Sequence, residues 1–237
     1  MLRCINNSIS ETYGFYGCLN LTSCSCNSTT YTVRNNNFVA CNNLTNCISI
    51  GNSSIEGFYY CNNLSDCSSS NSLQNYGLCT YLSGCIATNQ TGATGFTSCN
   101  YLSSCYSTGG KIGFFICLNV SSSKAYNVHN AAGDAYGFYQ CTNLSVCDSN
   151  FIDSSFILGA GNAYGYYQCI IVLGCQAGNT HISGGSGVGY GFGSCTRMQQ
   201  NRTDGNGSHK TGLFDASCYA DNGTDAVALA AVGGYNG

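Results

Sequence analysis

Proline and tryptophan are absent from this 237-residue chain, and only 7% of its residues are charged. An ordinary soluble domain carries roughly 25% charged residues, so the polar surface here must be built from amides and hydroxyls. Seven Lys and Arg against ten Asp and Glu leave a net charge of −3, with no basic run able to neutralise successive phosphates. Nucleic acid and anionic membrane surfaces are therefore not expected partners. Long apolar runs are also missing. Phe156-Ile157-Leu158 and the segment Ala226 to Val232 fall far short of the roughly 20 residues a membrane-spanning helix needs, so no membrane insertion is expected. The opening residues Met1-Leu2-Arg3-Cys4-Ile5-Asn6 contain no signal-peptide core.

Catalytic ingredients are scarce. The three histidines, His129, His181 and His209, fall in Gly/Asn/Ser-rich segments without a recurring acidic partner. Asp148 and Asp153 lie close enough to suggest a glycosidase-like carboxylate pair, but acids five apart in a loop are commonplace. Gly184-Gly185-Ser186-Gly187-Val188-Gly189 lacks the lysine and the strand-helix context of a phosphate loop. No enzymatic activity, cofactor or metal is expected.

What the chain does have is cysteine, 19 in all, and a repeat that organises them. Cys18, Cys41, Cys61, Cys79, Cys99, Cys117, Cys141, Cys169 and Cys195 share one frame. With each as position 0, position −3 is always aromatic: Phe15, Phe38, Phe58, Tyr76, Phe96, Phe114, Phe138, Tyr166 and Phe192. Position +3 is Leu, Val or Met throughout, from Leu21 to Met198. Position +6 is a second cysteine except at Ser123 and Asn201, and position −4 is always Gly or Asn. Gly and Asn adopt positive φ most readily, so a left-handed turn is expected to open each unit at −4.

Apolar positions three apart do not fit a flat strand, whose same-face residues are two apart. The constant half of each unit must be tightly turned or briefly helical, with a short strand beginning near the second cysteine. No unit of about 20 residues buries its own aromatic and cysteines; stacked units would turn these positions into continuous inner columns. The fold expected is mainly β, a single solenoid of β-solenoid or leucine-rich-repeat type with about nine to ten rungs of 18–28 residues. Variable segments such as Ala87 to Thr94 and Ala177 to Tyr190 should leave the rod as loops. Residues 1–200 form the repeats, and 201–237 a degenerate last rung with a cap or assembly segment.

The segment Gly14-Phe15-Tyr16-Gly17-Cys18-Leu19-Asn20-Leu21-Thr22-Ser23-Cys24 resembles the BspA-like leucine-rich repeat, and the likeness recurs over residues 14–200. That resemblance implies a surface-exposed, non-enzymatic binding solenoid. It carries over no functional residue. The family's first isoleucine is Cys here, its Ile-Pro step is missing, and the unit length drifts.

The Cys-x5-Cys spacing does not suit zinc, which favours closer pairs with matching His, and no Cys-x-x-Cys-His haem sequence occurs. So many cysteines without metal spacing point to an oxidising compartment. The chain is thus expected to be extracellular, at a cell surface or on a virion. Joining each second cysteine to the first of the next unit pairs Cys4 with Cys18, Cys24 with Cys41, Cys47 with Cys61, and Cys67 with Cys79. The series continues with Cys85 to Cys99, Cys105 to Cys117, Cys147 to Cys169, and Cys175 to Cys195. Pairs within a unit, or a reduced ladder of small apolar side chains, are the other arrangements open.

Twelve Asn-x-Ser/Thr sequons occur. Asn20, Asn43, Asn63, Asn119 and Asn143 share one repeat position, where turn-forming side-chain bonds explain the asparagine. Asn6, Asn27, Asn52, Asn89, Asn201, Asn206 and Asn222 escape that explanation and are the glycosylation candidates. The 18 tyrosines, in runs such as Tyr136 to Tyr139 and Tyr164 to Tyr167, offer rigid amphipathic contact surface.

Cys4 fits position +6 of a unit whose aromatic and first cysteine are missing, so the first rung is expected either to belong to a longer precursor or to be covered by another molecule's end. Near the other end Arg197, Arg202, Asp204, Lys210, Asp215, Asp221 and Asp225 concentrate charge as the repeat decays. The function expected is a non-catalytic structural repeat protein, self-associating head to tail into a filament or coat. The alternative is an adhesin or virion receptor-binding fibre that holds host protein or carbohydrate through loops and tyrosines.

Overall fold

The computed structural model describes residues 5–6, 13–27, 36–51, 56–89, 92–130, 133–154, 161–181, 189–204 and 211–214. It is a three-sided β-solenoid. One short coil shows the plan: strands Glu56–Tyr59, Asn62–Ser65 and Ser68–Ser70 follow each other around the axis, and Gln74–Gly77 begins the next turn. Each side stacks into a parallel sheet. An aromatic sheet of ten strands runs from Phe15–Tyr16 to Thr211–Phe214, and a leucine sheet of nine from Leu19–Thr22 to Thr196–Gln199. A third sheet of eleven runs from Ile5–Asn6 to Arg202–Asp204, with small residues facing inward. At a strand spacing of roughly 4.8 Å, the stack is about 40 Å long.

The three-residue period is produced by left-handed backbone, not by helix. In every coil the residues at −1, +2 and +5 have positive φ, as at Tyr60 (52°), Asn63 (53°) and Asp66 (51°). Each kink turns the following residue inward. Phe58, Cys61, Leu64, Cys67 and Ser69 are accordingly all buried within twelve residues of chain. A non-glycine residue in this region costs roughly 1–2 kcal/mol, and burying a Leu or Phe contributes about 1.5–3 kcal/mol. Each kink is thus outweighed by the side chain it delivers. The corners stay hydrogen-bonded to the neighbouring coil, with Tyr60 N donating to Gly77 O (3.0 Å) and Asp66 N to Ser83 O (2.9 Å).

The turn expected at −4 is elsewhere. Gly57, Gly95, Gly113, Gly137 and Gly165 keep ordinary φ, and so do Asn37 and Asn75. What position −4 needs is small size, because it faces the +8 residue across the narrow coil. A Cβ on Gly57 would strike Ser69 Oγ and lie 2.6 Å from Asn75 O. Asn37 is accommodated because its Nδ2 donates to Ser49 Oγ (2.7 Å) and Ile50 O (3.1 Å).

The core is a set of columns. Nine aromatic rings from Phe15 to Phe192 stack at 4.6–5.0 Å between centroids, tilted 4–12°. Tyr76 and Tyr166, fully buried, donate their hydroxyls to Cys67 O (2.6 Å) and Cys147 O (2.7 Å). The ladders continue past residue 200: Gln176 pairs with Arg202, and Phe192 with Phe214. The stretches expected as loops are partly strand, since Ala87 lies in Ile86–Asn89 and Ala177 in Gln176–His181.

Candidate functional site

Both cysteine columns occupy the two tight corners of the coil, one flanking each side of the leucine sheet. Every described cysteine is a free thiol, and all but Cys18 are buried. The S–H groups find carbonyls: Cys41 Sγ lies 3.3 Å from Val39 O and 3.5 Å from Phe15 O, and Cys67 Sγ 3.4 Å from Ser65 O. The inter-coil disulfides Cys24–Cys41, Cys47–Cys61, Cys67–Cys79, Cys85–Cys99, Cys105–Cys117, Cys147–Cys169 and Cys175–Cys195 are not formed. The register explains why: Asn62 N bonds to Cys41 O, and Ser68 N to Cys47 O. A cysteine's neighbour is therefore the same position of the next coil, not the other column. Cys4 and Cys218 lie outside the described residues. Ser123 and Asn201 take over the thiol's place. Cys105 N donates to Ser123 Oγ (3.1 Å) and Cys175 N to Asn201 Oδ1 (2.8 Å).

Burial pushes the Cys26 thiol up to about 11 and holds Cys79, Cys99, Cys141 and Cys169 well above their usual range. Reactive cysteines are thiolate-rich and accessible; these are neither.

The shared asparagine position is a left-handed kink whose amides bond between coils rather than to local backbone. Asn43 Nδ2 donates to Asn20 Oδ1 (2.9 Å), Asn63 to Asn43 (3.0 Å) and Asn143 to Asn119 (2.9 Å). Of the glycosylation candidates, Asn201 is buried, with Nδ2 donating to Val172 O (2.8 Å). Asn27 is half-buried. Half-buried Asn89 spends its Nδ2 on Ser107 Oγ (3.0 Å). Asn6 lies in the first strand; Asn52, Asn206 and Asn222 lie outside the described residues.

His129 and His181 are in strands, not loops. Backbone register places His129 beside Asp153, and Asp153 beside His181. Among the described residues no group of three or more His, Cys, Asp or Glu is arranged to hold a metal ion.

The tyrosine runs line the outer face of the aromatic sheet. Positions −5 and −2 point outward there, and over the four coils from Ile112 to Gly193 six of these eight residues are aromatic. Tyr136, Tyr164 and Tyr190 form one outer column, with centroids 5.4 and 5.3 Å apart. Phe115, Tyr139 and Tyr167 form the other, 5.2 and 5.7 Å apart. Tyr136 and Tyr139 stack across the columns at 4.5 Å. Towards the N-terminal coils both columns stop: Phe115 is in register with Thr97, and Thr97 with Gly77. The step down from ring to short side chain opens a cleft of about 500 Å³ over Thr94 and Thr97, walled by Phe115, Tyr136 and Tyr139. Gln74, Lys111, Ile112, Asn130, Gly133 and Asp134 complete its lining. Asp134 is already engaged, accepting from Tyr136 OH (2.8 Å) and Asn162 N (2.6 Å); beside it the Tyr136 phenol is raised, first by burial and then by that carboxylate.

The fold thus defines the class: a three-sided parallel β-solenoid with an outward aromatic face. No family model matches the chain, and no curated protein matches it. A solved structure similar in outline is the mannuronan C-5 epimerase AlgE6 A-module of Azotobacter vinelandii. It is 10% identical, with a TM-score of 0.38, over 90% of this chain and 75% of that one.

Proposed function

We propose that the protein is a non-catalytic structural repeat protein, placed outside the cell or on a cell or virion surface, that stacks end to end into a filament or coat. The observation that supports this reading is the uniformity of the coil. All three sheets are parallel and in register, so their backbone hydrogen bonds run along the axis, and any coil presents the pairing pattern of any other. An unpaired rung of such a sheet is a template for another. Low charge favours this too, since repulsion between like ends is small. Among the described residues the only ion pair is Lys124–Asp148, at 3.8 Å.

The cysteine count no longer argues for an oxidising compartment, because packing accounts for the described thiols; the external placement leans on the sequons. Electron microscopy of native, non-reduced material tests the assembly. Filaments much longer than the single stack of about 40 Å are expected, and uniform short rods at high concentration would contradict it. The second reading, a binding module for carbohydrate or protein, is favoured by one feature, the cleft at the end of the tyrosine columns.

A further inference from the structure

We infer that His129, Asp153 and His181 hold a divalent transition-metal ion on the outside of the third sheet. The inference goes beyond both readings of function and rests on neither. Three observations carry it. The first is register. His129 is the backbone partner of Asp153, and Asp153 that of His181, so the three residues form one column on successive coils. Two of the chain's three histidines thus flank a single carboxylate. Of the three side chains only that of His129 is described, and the assignment rests on backbone register and residue type.

The second is where the column stands. In a short coil the third strand ends early, as in Ser68–Ser70. In the longer coils it runs on as Asp148–Ser154 and Gln176–His181, and it resumes as His129–Asn130 after Lys124–Tyr126. Val128 and Ile152 fill the added core and are fully buried. By alternation the residue after each, His129 or Asp153, takes an outer-face position. Packing accounts for the buried pair and leaves the outer column unexplained.

The third is donor chemistry and reach. Two imidazoles with one carboxylate suit ions of the zinc class and leave a coordination position open. Neighbouring strands lie about 4.8 Å apart, so each histidine stands one strand from Asp153. An imidazole and a metal–nitrogen bond of about 2.0–2.1 Å together bridge that span. On the far side, His129 N donates to Gly110 O (2.6 Å), which brings Lys111 next to His129; its charge opposes the bound ion.

The test is calorimetric titration of the whole chain with Zn²⁺, with Mg²⁺ as the control. Zn²⁺ is expected to bind and Mg²⁺ not to. Outer-shell partners alone are worth about 10–100-fold in metal affinity, so His129→Ala, Asp153→Asn and His181→Ala should each weaken binding by at least about tenfold. His209→Ala should leave it unchanged, and Lys111→Gln should tighten it several-fold by removing a like charge. Unchanged circular dichroism of the metal-free variants separates a lost ligand from a lost fold. Because the chain is rich in cysteine, Co²⁺ supplies a second readout: its spectrum should lack a thiolate-to-metal charge-transfer band. Failure of the wild type to bind Zn²⁺, binding that survives the three substitutions, or a thiolate band would overturn the site.

Discussion

At the residue scale the fold is a trade between strained backbone and buried side chains. The kinks are tolerable at Asn63 or Gly84, residue types that accept positive φ, but Ile116, Val146 and Ile171 adopt it as well. For a β-branched residue that conformation is an outlier. Val146 is 68% exposed and so gains little from packing. Val146→Asn should therefore raise stability by about 1 kcal/mol, read as a higher urea midpoint at unchanged slope; a lower midpoint would mean that the kink is not strained there. The thiols make a second residue-scale prediction. Burial raises Cys26 from 9.0 to about 11, and Cys79, Cys99, Cys141 and Cys169 stand well above 9.0 as well. In the unfolded chain such thiols ionise first, so above pH 9 the unfolded state holds fewer protons than the folded one. The contribution of these five thiols to stability should be whole below pH 9 and fall as pH climbs towards 11. Urea midpoints that stay flat across that interval would contradict the buried, reduced thiols.

At the scale of the element, much was legible in the sequence and some was not. The columns could be read directly, because burial selects residue type: aromatic at −3, Cys at 0, Leu at +3. The sign of φ could not, because the kinks at −1, +2 and +5 accept Tyr60, Leu78 and Gln140 as well as Asn and Gly. Packing imposes those kinks, and packing leaves no mark on an outward side chain. The glycine column misled for a related reason. Gly57 and its equivalents are small because of the contact with position +8, and the chain carries no sign that +8 lies opposite. Phe214 was missed because Ser217, not a cysteine, follows it at the interval of three. The aromatic face was noticed as tyrosine runs, yet its cleft depends on where the runs stop, at Thr97, which only the register between coils reveals. A test belongs to the aromatic column itself. Tyr76 stands between Phe58 and Phe96 and donates its hydroxyl inward to Cys67 O. Tyr76→Phe keeps the stack and loses that bond, so a cost of about 1 kcal/mol is expected. A neutral result would show that the hydroxyl contributes nothing to holding the corner.

At the scale of the whole molecule the claim is that the coils are interchangeable units, each stabilised by its neighbours. Low charge, absent proline and variable coil length all follow from this. Charge is scarce because adjacent coils place identical positions side by side, where like charges would repel. Proline is excluded wherever a backbone N–H must bond to the next coil. Length varies only where the chain passes from the third sheet back to the aromatic one, as in the two residues between Gly109 and Ile112. The most direct measurement is removal of one complete coil. Deleting residues 79–98 joins Leu78 to Cys99 and takes one strand from each sheet: Thr80–Ser83, Ile86–Asn89 and Thr94–Thr97. Phe114 then meets Tyr76, and every column closes in register. That variant should unfold in a single cooperative transition with an unchanged circular dichroism spectrum, and its rod should be shorter by about 4.8 Å. Deleting only residues 79–88 should abolish folding. If the whole-coil deletion collapses as the partial one does, the coils are not equivalent units and the account of the fold is wrong.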